Sequence, residues 1–69
     1  MAATAHDLAA DIRTTHDITA DAAAEAVETY VALIEDLEGH DIDRDAIEDL
    51  DAGFILMAVA VAQHTAAAN

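Results

Sequence analysis

The chain has 69 residues and a mass of 7.2 kDa, and it carries fifteen Asp and Glu against two Arg and no Lys, a net charge of −13. That length allows one domain, residues 1–69, with a marginal core, because so short a chain buries only about 60% of its unfolded surface. The charge argues against direct nucleic-acid binding, which needs Lys and Arg to displace counterions, and against docking on an anionic membrane.

There is no cysteine, hence no disulfide and no CxxC-type zinc site. Hydrophobic residues make up 55% of the chain, but nineteen of them are Ala and only Tyr30 and Phe54 are aromatic. The composition is helix-forming filler with a modest set of large apolar side chains, which is not the profile of a disordered chain. No basic segment precedes an apolar stretch at the N-terminus. The longest uncharged apolar run, Ala52 to Ala62, is eleven residues against the roughly 20 of a membrane span. The expectation is a soluble, cytoplasmic, all-α protein: a small bundle of two to three helices completed by self-association or by a partner.

In chain order, the first helix is expected over about residues 5–14. Thr4 is its cap, Asp7 lies in its first turn, and Leu8 and Ile12 form its stripe. It has the least apolar surface, so its packing is expected to depend on a partner. Thr14 to Asp17 form a break. Thr19 then caps a second helix over 20–38, with Ala20, Ala23, Val27, Tyr30, Val31, Ile34 and Leu37 at the 3–4 spacing of one buried face. Gly39 falls where a left-handed C-cap belongs.

A third helix is expected over 44–65, capped by Asp43, with Ile47, Leu50, Phe54, Met57 and Val61 as its stripe. Gly53 is a point where the helix kinks or breaks, and Asp51 is an alternative cap. Beyond Gly53 the residues Phe54, Ile55, Leu56, Met57, Val59 and Val61 are apolar all round. A helix with no polar face is buried on every side, so these six are read as the core or an oligomer seam. The form His-Asp-apolar-x-x-Asp occurs at His6, His16 and His40. Its uneven spacing excludes a solenoid repeat, and chance or a helix-entry signal accounts for it.

Acid concentrates in one place. Glu35, Asp36, Glu38, Asp41, Asp43, Asp45, Glu48, Asp49 and Asp51 are nine acids in seventeen residues, offset only by Arg44. On a helix, Asp45, Glu48 and Asp49 would share one face at mutually repulsive spacing. Three readings compete. The first is a solvated acidic face. The second is a surface shaped to occupy a basic, nucleic-acid-binding cleft on another protein, in the manner of a DNA mimic. The third is a calcium loop: Asp41, Asp43 and Asp45 match EF-hand positions 1, 3 and 5. Ala46, Glu48 and Ala52 then depart from the pattern at positions 6, 8 and 12.

His6, His16, His40 and His64 never pair at i, i+3 or i+4, and HExxH is absent, so no two share a helix face as zinc ligands and no histidine metal site is expected. No Ser or Cys nucleophile, no Lys and no glycine-rich phosphate loop is present, and neither catalysis nor a cofactor is expected. The expected partner is a basic protein surface or a further copy of this chain. Two accounts of the acid remain. A salt-rich cytosol screens carboxylate repulsion and favours acid everywhere, which suits a structural subunit of a homo-oligomer, complex or virion. An interaction surface concentrates acid. The first 34 residues hold six acids and the next seventeen hold nine, which favours the second account.

Overall fold

The computed structural model describes residues 3–48 and 50–68, with side chains through residue 65. Three helices make up the fold: α1 (Ala5–His16), α2 (Ala20–Glu38) and α3 (Ala52–Ala68). No strand forms among the described residues, and the only ladder fragment is an isolated antiparallel bridge between Ala3 and Ile47. The small all-α bundle expected from composition is therefore what forms.

The caps explain where two of the helices begin and end. Thr4 Oγ1 accepts from the Asp7 N–H at 3.0 Å, and Thr19 Oγ1 accepts from the Ala22 N–H at 3.1 Å. Each satisfies one of the four backbone donors that a helix start leaves unpaired. α1 runs two residues beyond the expected end at Thr14. It stops at Asp17, which takes the left-handed conformation (φ 51°) and donates its N–H to the Arg13 carbonyl. Gly39 (φ 75°) closes α2 as expected, with its N–H on the Glu35 carbonyl.

α2 is the hub, and both α1 and α3 pack against it. Its buried residues are Ala22, Ala23, Ala26, Val27, Tyr30 and Val31. Two neighbours need two contact faces, so the buried stripe is wider than the single row expected, and it gains Ala22 and Ala26. Ala20 and Leu37, expected in that row, are exposed, Leu37 to 63%. α1 needs no second chain to pack. Leu8 and Ile12 are 3% and 2% exposed within the single chain.

The third helix begins at Ala52, not at Arg44. In a helix the Asp45, Glu48 and Asp49 carboxylates would repel one another, and Asp competes with helical hydrogen bonding through its own side chain. Asp43 does the latter: its Oδ1 accepts from the Asp45 N–H at 2.9 Å, and a turn follows with the Ala46 N–H on the Asp43 carbonyl at 3.1 Å. The alternative cap is the one used. Asp51 Oδ1 accepts from the Phe54 N–H at 3.1 Å. Gly53 lies in the first turn of α3 and does not kink a longer helix.

The buried face of α3 is also not the expected one. Ala58, Val59 and Ala62 are buried, with Phe54 and Ile55 packed partly against them. Leu56, Met57 and Val61 are 59%, 52% and 48% exposed. Ala58 and Ala62 face the bundle with Val59, and Leu56, Met57 and Val61 are left outside it. No helix among the described residues is long and apolar enough to cross a membrane.

Candidate functional site

The segment between α2 and α3, residues 40–51, carries most of the clustered acid, and it is folded back on the bundle. Four ties hold it. Glu35 Oε2 accepts from the Ile42 N–H at 2.9 Å. Arg44 donates to Glu28 Oε2 through Nη2 at 3.0 Å and Nε at 3.2 Å, and its Nη1 lies 3.7 Å from Glu35. The hydrogen bond to Glu28 and then the charge of Glu28 raise the Arg44 pKa above its ordinary value, and the charges of Glu35 and Asp41 add to this.

The third tie is a backbone pair. The Ala3 N–H donates to the Ile47 carbonyl at 2.9 Å and the Ile47 N–H returns to the Ala3 carbonyl at 2.8 Å. With the Ala5 N–H on the Arg44 carbonyl at 2.7 Å, the segment is stitched to the N-terminus of α1. Ile47 is thereby drawn into the core, 2% exposed. The fourth tie is Tyr30, buried on α2, whose hydroxyl oxygen accepts from the Asp51 N–H at 3.0 Å.

Between the C-terminal half of α2 and this segment lies an open cleft of about 530 Å³. Its floor is apolar, made by Tyr30, Val31, Ile34, Ile47 and Phe54, with Leu37 at its lip. Its rim is acidic: Glu38, Asp41, Asp43, Glu48 and Asp51. His40 also lines it. Its Nε2 is 3.3 Å from Glu38 Oε2, and its Nδ1 is 3.0 Å from the Asp41 carbonyl.

Of the nine clustered acids, five thus surround one concavity. Glu35 is turned inward as a loop anchor, with a side chain 23% exposed. Asp36 and Asp45 are exposed away from the cleft, and Asp49 lies outside the described residues. The helical row of Asp45, Glu48 and Asp49 does not exist, because residues 45–48 are not helical. The EF-hand register of Asp41, Asp43 and Asp45 gathers no ligand set: among the described residues no three His, Asp or Glu side chains converge to hold a metal ion. None of the described charged side chains is buried.

The three His-Asp segments stand in unlike settings. His6 and Asp7 open α1, His16 and Asp17 end it, and His40 and Asp41 are in the loop. They share no structural role. Of the six residues read as core or seam, Val59 is buried and Phe54 and Ile55 partly so, while Leu56, Met57 and Val61 form an uncharged outer face with Ala60. No protein-family model, curated protein or solved structure matches the chain.

Proposed function

We infer that the protein is a non-enzymatic interaction module that engages a basic surface on a partner protein through the end of α2 and the 40–51 segment. The single observation that carries this reading is that five acids, Glu38, Asp41, Asp43, Glu48 and Asp51, line one apolar-floored cleft. Scattered acid is the ordinary result of a solvated surface, whereas acid arranged about a concavity presents a focused negative potential to a cation. Where the partner's basic surface is itself a nucleic-acid site, the module acts as an inhibitor of the DNA-mimic type. The test is affinity capture of basic proteins with the wild-type chain and with a D41N/D43N/E48Q variant, followed by reconstitution with each purified partner and competition by duplex DNA. A partner that loses the variant and is displaced by DNA supports both parts. Equal binding of the variant overturns the reading.

A second reading rests on a different observation. Leu56, Met57 and Val61 are large, exposed and adjacent on α3, and residues 52–65 contain no Asp, Glu, Lys or Arg. This face carries no charged side chain of its own, so two copies of so acidic a chain meet there with reduced repulsion. On this reading the chain is a salt-adapted structural subunit of a homo-oligomer, complex or virion, and the acid is solvent adaptation. Helicity and mass measured from low to molar potassium chloride decide: folding and assembly only at high salt favour it, and a folded monomer in dilute buffer excludes it.

A further inference from the structure

We propose that the cleft between α2 and the 40–51 segment is the anchor point of the interaction, and that its occupant is a basic stretch of a partner protein. The stretch inserts one aliphatic or aromatic side chain over Ile34 and Ile47 while its flanking Lys or Arg side chains meet the rim carboxylates. This rests on the reading of the chain as an acidic interaction module and adds the place and mode of contact. Four observations carry it.

The volume, about 530 Å³, lies in the range of clefts that hold a ligand group. The floor is apolar and continues onto Leu37, a large apolar residue left 63% exposed at the lip. The rim carries five carboxylates beside His40, and Arg44 does not line the cleft because it is turned to Glu28 and Glu35. The walls are already set: Tyr30 holds Asp51, Glu35 holds Ile42, and Ala3 pairs with Ile47. A preformed site spares the ordering cost that weakens association.

An apolar anchor in a pocket, ringed by polar contacts that exclude water, is the usual anatomy of the residues that dominate an interface. A second copy of this chain is a poor occupant. It brings a net charge of −13 and only two Arg to a carboxylate rim, and like charges brought together suppress association.

The full chain is tested at a salt concentration where circular dichroism reports it helical. The probes are a short fluorescein-labelled peptide of arginines around one central leucine, and the same peptide with serine at the centre. Fluorescence anisotropy is expected to show the leucine peptide binding about tenfold or more tightly, the gain from burying one aliphatic side chain. Ala46, exposed and at the cleft wall, is the site of a plug. Ala46→Phe is expected to erase the preference for leucine while the serine peptide keeps its affinity within about twofold. Leu37→Ser, at the exposed lip, is expected to reduce the same preference, and it stands in if the plugged chain does not fold. D41N/D43N/E48Q is expected to weaken both peptides.

Equal binding of the two peptides, or a leucine preference that survives in both the plugged and the lip variants, overturns the cleft as anchor. The acidic-module reading still stands in that case if the charge variant weakens binding. Failure of the wild-type chain to bind either peptide, or indifference to the charge variant, overturns both.

Discussion

From Phe54 to Ala62 α3 is apolar around its whole circumference, so polarity does not decide which face enters the core, and two substitutions on opposite sides of the helix test the face observed. Ala62 has no exposed surface and sits with Ala58 and Val59, which are 2% and 3% exposed. Ala62→Leu places a large side chain where α3 and α2 are already in contact, and overpacking of this kind costs about 1–3 kcal/mol. Met57 is 52% exposed, so Met57→Ala removes contacts made mainly with water and stays within about 0.5 kcal/mol. In a domain this small each kcal/mol moves the melting temperature by about 4–8 °C. Ala62→Leu is therefore expected to lower Tm by roughly 4–24 °C and Met57→Ala by no more than about 4 °C. The assay is thermal unfolding followed by circular dichroism at low chain concentration and again at about tenfold higher concentration. A larger loss for Met57→Ala than for Ala62→Leu at low concentration refutes the packing described, because α3 would then turn Met57 inward. A loss for Met57→Ala that appears only at high concentration marks self-association through the outer face instead.

Ile47→Ala is expected to cost about 2–5 kcal/mol in urea unfolding, as a core truncation does, although Ile47 lies outside every helix. A cost near zero would mean that the 40–51 segment does not dock. Asp17→Gly is expected to stabilise the chain by about 0.5 kcal/mol, because glycine takes the left-handed cap conformation without the strain of a side chain. An unchanged or lower melting temperature counts against that cap. Glu35→Ala is expected to cost about 1–3 kcal/mol by leaving the Ile42 N–H without its acceptor. Glu35→Gln, which keeps a carbonyl acceptor, is expected to cost less, and hydrogen exchange at the Ile42 amide is the direct check.

Of the helix ends that the sequence announces by capping chemistry, the Thr4, Thr19 and Gly39 ends form and the Asp43 start does not. Thr4, Thr19 and Gly39 act through local hydrogen bonds and backbone conformation, which neighbouring residues alone decide. Asp51 was visible as a cap, but periodicity extended the third helix back past it to Asp43. The apolar spacing of Ile47 and Leu50 with Phe54 mimics a helical stripe. Ile47 instead reaches the core from a loop, by pairing with Ala3 at the far end of the sequence, and nothing local signals a pairing over that distance.

The buried face of α3 departs from the apolar stripe for a related reason. Hydrophobic periodicity weights Met57 and Val61 above Ala58 and Ala62, but it does not choose among the faces of a segment that is apolar all round. The acid cluster was legible as composition but not as shape. Five of its carboxylates surround a cleft only because the segment folds back, and Glu35 became an anchor only because Ile42 arrived beside it. A carboxylate one turn before a glycine cap, followed by isoleucine, was the sole local hint of that role.

Tyr30 gives the molecule a built-in reporter. The chain has one tyrosine and no tryptophan, so its near-ultraviolet absorption and emission come almost entirely from a single ring. That ring is 1% exposed on the central helix. Its hydroxyl holds the backbone at the start of α3 through Asp51, and the residue lines the cleft. One unlabelled optical signal therefore answers to three events at once: opening of the core, release of the segment that precedes α3, and arrival of a side chain in the cleft.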